Sequence, residues 1–184
     1  MINSFPELNE QQYVKTRRRI HSVAELIGRF REVLVQPIAK NDNLWLSVVD
    51  KGFCTPPMNN LNELEIGFNA EILCVEIANN QNKYVSISVT GKSLNELCAE
   101  MLEALKNGFG VKAELNTDEF DKARKIEVDP EEATKFLIQF VNFSDLLTAF
   151  HKNIAFNDGV KTQINLWPHH FDNSFKWFSG RKID

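Results

Sequence analysis

The residues best suited to chemistry lie near the end of the chain, in Leu166-Trp167-Pro168-His169-His170-Phe171-Asp172. Two imidazoles stand side by side, next to a carboxylate and among aromatic rings. Histidine and aspartate are ligands for first-row metals, and His21 or His151 could supply a third donor. The spacing argues against such a site. Neighbouring residues on an extended strand point to opposite faces, so both rings reach one ion only if Pro168 bends the backbone. The helical His-x-x-x-His spacing is absent. We therefore expect no bound metal and no cofactor. A polar wall of a small-molecule pocket fits better, with one histidine titrating near neutral pH as acid or base. The alternative is a structural turn in which one ring bonds a buried carbonyl.

Two further clusters are weaker. Ser179-Gly180-Arg181 offers accessible backbone amides and a guanidinium that can fork onto a carboxylate or phosphate, but three residues equally make a solvated turn. Arg17-Arg18-Arg19 with Lys15 has the composition of a nucleic-acid patch. On a helix, however, three consecutive side chains fan over about 200° and cannot share a face. The formal charge of -4 also repels polyanions, so no nucleic-acid partner is expected. The chain has no Gly-x-Gly-x-x-Gly, no Gly-x-x-x-x-Gly-Lys-Ser/Thr and no Gly-x-Ser-x-Gly. Gly108-Phe109-Gly110 follows a helix instead of opening one.

These residues must be positioned by a chain of 184 residues, 43% hydrophobic and 25% charged. That composition predicts one soluble globular domain spanning residues 1–184. No apolar run approaches the roughly 18 residues that a membrane helix needs, so no membrane partner is expected. Cys54, Cys74 and Cys98 are scattered and form no Cys-x-x-Cys pair, which points to free thiols and the cytoplasm. The opening residues lack the basic and apolar regions of a signal peptide.

Three helices are predicted. The first begins near Asn9, with Leu8 and Tyr13 as a hydrophobic staple. It buries Tyr13, Ile20, Ala24, Ile27 and Leu34, and ends at Pro37. The second opens on the capping box Ser93-Leu94-Asn95-Glu96, buries Leu94, Leu97, Cys98, Met101, Leu102 and Leu105, and stops at Asn107-Gly108. The third is capped by Asp129, with Pro130 first inside it. Phe136, Phe140, Phe143, Leu147, Phe150 and Ile154 follow at steps of three and four. Such regularity predicts core packing along the whole stripe.

Strands are expected at 44–49, 63–68, 71–78 and 83–89. The last three alternate cleanly, as in an antiparallel meander with one wet face. Val111–Leu115 should return to the sheet, and 116–128 reads as a surface loop. Two short strands, 161–167 and 174–178, close the chain. Helices and strands are segregated, so the fold class is α+β: an antiparallel sheet carrying three helices mainly on one face.

The run from Ile164 to Asp172, with Phe175-Lys176-Trp177-Phe178-Ser179-Gly180-Arg181, resembles a bacterial family known only as a domain of unknown function. Similar stretches include Phe5-Pro6-Glu7-Leu8, Thr16–His21, Gly52–Pro57 and Asp129-Pro130-Glu131. The resemblance spans nearly the whole chain and implies no activity. Members of that family continue well past the Ser-Gly-Arg triplet. The resemblance therefore implies either a short member or the N-terminal part of a longer unit.

The leading functional expectation is a cytoplasmic small-molecule or partner-binding module, with His21, Trp167, His169, His170, Asp172 and Arg181 as ligand-binding candidates. The alternatives are a hydrolytic or metal-assisted enzyme built on His169, His170, Asp172 and Arg181, and an interaction protein using an exposed edge or aromatic patch. Oligomeric state stays open. One specific geometry is expected: His169 or His170 turns inward beside His21, lines the main cavity and has its ring hydrogen-bonded.

Overall fold

A computed structural model of the chain describes residues 10–36, 44–120, 124–153, 160–161, 164–174 and 177–178. The framework is a five-stranded antiparallel meander in the order β1 (Ser47–Val49), β2 (Gly52–Cys54), β3 (Glu65–Asn69), β4 (Cys74–Ala78) and β5 (Tyr84–Ser88). Its register sets Ile66 opposite Ile77 and Phe68 opposite Val75, with Val85 and Ile87 continuing the rows. Period-two alternation turns these side chains to one face. On the wet face the Tyr84 hydroxyl donates to Glu76 at 2.7 Å.

Helix α1 (Glu10–Leu34) lies at the centre of the structure. Besides the expected Ile20, Ala24, Ile27 and Leu34, it buries Val23, Leu26 and Phe30. It packs against β3, α2 (Leu94–Ala104) and α3 (Pro130–Asn153). Arg31 is also buried. It donates to the Pro56 carbonyl at 2.9 Å, and desolvation lowers its pKa. The expected Asn9 cap, Leu8 and Pro37 lie outside the described residues.

The α2 capping box is present in full. Ser93 Oγ accepts from the Glu96 amide, and the Glu96 carboxylate accepts from the Ser93 amide. Lys125 donates to the same carboxylate. With the Ser93 bonds, it holds the Glu96 pKa down at about 2. The helix does not stop at Asn107-Gly108. It continues as one π turn, Leu105–Phe109, and Gly110 at φ 69° closes it. That conformation suits a residue without Cβ.

Four expectations need correction. Strand β2 falls in a stretch given no strand: Gly52 lies so close to the Phe68 carbonyl that a Cβ would sit 1.9 Å from its oxygen. Residues 71–73 form a turn instead of opening β4. There the Asn69 side chain accepts from the Glu71 amide and Leu73 takes φ 52°. Residues 111–115 alternate in exposure but pair with no described strand. Residues 116–128 are not wholly a surface loop. Ile126 and Val128 are buried, and Ile126 exchanges backbone bonds with Gly91 and Lys92.

The stripe of α3 is buried only in its first half. Asp129 Oδ1 caps the helix through the Glu131 and Glu132 amides. Phe136 is 5% exposed, but Phe143 is 50% exposed and Phe150 60%. The regular spacing continues beyond the edge of the surface that α1 and the C-terminal residues cover.

Candidate functional site

Two short strands, β7 (Asn165–Trp167) and β8 (Asp172–Ser174), form a hairpin with Trp167 opposite Asp172. A two-stranded pair of β6 (Val160–Lys161) and β9 (Trp177–Phe178) accompanies it. The hairpin joins the meander edge through one bridge, in which Leu46 and Leu166 exchange hydrogen bonds of 2.8 and 2.9 Å.

As expected, the strand ends at Trp167 and the next residues turn. The Phe171 amide closes the turn onto the Trp167 carbonyl at 2.8 Å, and Phe171 itself takes φ 54°. For a bulky non-glycine residue this is a strained conformation that the surroundings must enforce. Three contacts do so. Pro168 is seated on Gly28 of α1, where an added Cβ would come within 2.6 Å of the proline ring. The His21 ring stacks on Phe171, centroids 5.2 Å apart and planes 18° apart. His21 Nε2 also lies 3.0 Å from the Pro168 carbonyl and 3.3 Å from that of His169. Carbonyls only accept, so Nε2 carries the proton in this arrangement.

The geometry expected of the tandem histidines is therefore overturned. His169 and His170 are both exposed, and neither lines the aromatic cleft beside the turn. The inward imidazole belongs to His21, and it binds the backbone of the turn, not a second imidazole. The half-buried Trp167 ring donates to Ser174 Oγ at 2.9 Å. Among the described residues no three His, Cys, Asp or Glu side chains gather as a metal site would need. Ser179, Gly180 and Arg181 lie outside the described residues.

A cleft does open beside the turn, on the other side of Phe171. It has a volume of about 390 Å³ and is lined by Tyr13 and Arg17 of α1, by Phe136, Gln139, Phe140 and Phe143 of α3, and by Phe171, Asp172 and Asn173 of the hairpin. That volume falls in the range of small-molecule sites. Its wall is a ladder of rings. Phe140 and Phe171 stack at 5.1 Å with planes 7° apart, Phe136 and Phe171 at 5.9 Å and 10°, and Tyr13 meets Phe136 at 5.8 Å. Phe171 also meets Phe53 of the sheet edge-on at 5.9 Å, so the ladder continues into the core.

Arg17 and Asp172 are exposed and give the cleft one cation and one anion. Among the described residues Arg17 has no carboxylate partner. Neither the half-buried Cys54 nor the buried Cys98 adds a nucleophile: burial, and for Cys54 the charge of Glu65, pushes both thiols up to about 11. Both stay protonated at neutral pH.

Of the residues expected to form the site, Asp172 lines the cleft and His21 supports its wall. The other residues that line it, Tyr13, Arg17, Phe136, Gln139, Phe140, Phe143 and Asn173, are not among those candidates. The helical spacing of Tyr13 with Arg17, and of Phe136 with Gln139, Phe140 and Phe143, places each set on one face. That signal is shared with ordinary core packing.

An α+β chain with an aromatic cleft between two helices and a C-terminal hairpin is the class of protein that these features define. The chain belongs to the family of unknown function DUF5996, whose model matches residues 5–184. No curated protein and no solved structure matches it.

Proposed function

We propose that this chain binds a small, flat, mainly apolar molecule in the cleft between α1, α3 and the C-terminal hairpin. One observation carries the reading: parallel rings from two separate segments, Phe140 and Phe171, stand at the wall of a cleft of ligand size. Flat rings stack favourably against such faces. Arg17 and Asp172 would orient the ligand's polar end, since a few placed polar groups usually set direction in an apolar pocket. The two imidazoles on which the enzyme reading relied stand in solvent.

The test is an NMR titration of the 15N-labelled chain with 2-naphthoate, a flat ring system bearing an anion for Arg17. Saturable shifts confined to residues 13–17, 136–143 and 171–173 are expected. They should weaken in Phe140→Ala and in Arg17→Gln. Shifts absent at millimolar naphthoate, or spread over the meander instead, would remove the proposal.

A further inference from the structure

Strand alternation puts Asn173 on the inner face of the hairpin. Its cross-strand partner is Leu166, which is 1% exposed. An inner-face position beside phenylalanines would ordinarily hold an apolar residue. Here it holds a carboxamide, and both Oδ1 and Nδ2 are closed off from solvent without a hydrogen-bond partner. Native structures rarely leave such a group unsatisfied, and one that is left so calls for an explanation. Asn173 already lines the cleft, and rotation of its side chain toward that space is the short route to a partner.

Resting on the reading of the cleft as a ligand site, we infer that Asn173 recognises a planar heterocycle by an edge carrying N–H beside C=O. A carboxamide offers one acceptor and a donor group side by side. Its complement is a cyclic cis-amide, as in a lactam, a pyrimidinedione or an oxopurine. The N–H of that edge goes to Oδ1 and the carbonyl takes Nδ2–H. The ring face meets the aromatic ladder, as nucleobase faces meet aromatic side chains elsewhere. Arg17 and Asp172 cannot read such an edge alone, since a guanidinium only donates and a carboxylate only accepts. A flat hydrocarbon leaves Asn173 unpaired, as it is in the free chain, so discrimination comes from the pair that the cis-amide edge adds.

The experiment compares uracil, 1,3-dimethyluracil and 2-naphthoate by NMR titration of wild type, Asn173→Leu and Asn173→Ala. N-methylation removes the N–H of the edge and keeps the ring. Uracil should bind about ten-fold more tightly than its dimethyl form, the order expected for one lost hydrogen-bonded pair. In Asn173→Leu the preference should fall to about two-fold or less, and the melting temperature should not drop, because an unsatisfied amide has been replaced by an apolar isostere. Asn173→Ala should lose the same preference, which covers the case that leucine does not fit. Naphthoate binding without any uracil preference would overturn the edge inference and leave the cleft reading standing. Binding of none of the three would overturn both. An unchanged uracil preference in Asn173→Ala would assign the recognition to another residue and defeat the inference.

Discussion

The turn of the C-terminal hairpin holds two unlike surfaces within a few residues. His169 and His170 carry the more reactive side chains and face solvent, contributing to the structure through backbone. Phe171 and Asn173 carry the less reactive ones and face inward, where they form one wall of the cleft. The difference shows that a turn selects side chains by direction. Pro168 fixes the entry and is clamped on Gly28. The positive φ of Phe171 then swings its ring between His21 and Phe140 while the preceding imidazoles point away.

Five substitutions test that contrast, from the inward side to the outward one. Phe171→Ala removes the ring that joins the ladder to Phe53 and should cost about 3–5 kcal/mol of stability by denaturant unfolding. A loss under about 1 kcal/mol would mean that the hairpin is not held by this ring. Gly28→Ala should cost about 1–3 kcal/mol, because the methyl group meets Pro168 and the turn must move away from α1. Unchanged stability, with the His21 ring protons unshifted, would break the clamp argument. Phe143→Ala should cost about 1 kcal/mol or less, since half the ring is already in water, yet it should weaken naphthoate binding. Equal loss of stability at Phe143 and Phe136 would restore the idea of a fully packed stripe. His169→Ala and His170→Ala should each lie within about 0.5 kcal/mol of wild type. A larger change in either would show that its imidazole does more than its exposure implies.

The features legible in the sequence are those whose causes are local. The Ser93–Glu96 capping box, the Asp129-Pro130 opening and the alternation of β3, β4 and β5 each follow from a few neighbouring residues. Strand β2 was not legible, because its three residues are held by the close approach of Gly52 to Phe68, a contact across the sheet. The limit of the α3 stripe was hidden for a related reason. Spacing shows which face is apolar, but not how far its cover extends. The site was least legible of all. Its walls come from residues 13–17, 136–143 and 171–173, and aromatic residues at helical spacing read first as core. Arg17 was set aside with its neighbours as part of a solvated fan. That holds for Arg18, also exposed, but the helical turn that disperses the three is what delivers Arg17 to the cleft.

The Leu46–Leu166 bridge ties residues 120 positions apart, whereas the meander joins strands separated by ten residues or fewer. Closing so long a loop costs about 2 kcal/mol more chain entropy than closing one of ten residues. Two backbone bonds, the Pro168 seat and the buried Phe171 ring offset it. In kinetic terms that loop length predicts that the hairpin opens before the meander, as a separable unit at its edge. Deuterium should enter the amides of Leu46, Leu166 and Phe171 well before those of Ile66 and Ile77. A ligand resting against Phe140 and Phe171 in the cleft would then be felt as slowed exchange at Leu46, on the far side of the bridge from the rings it touches.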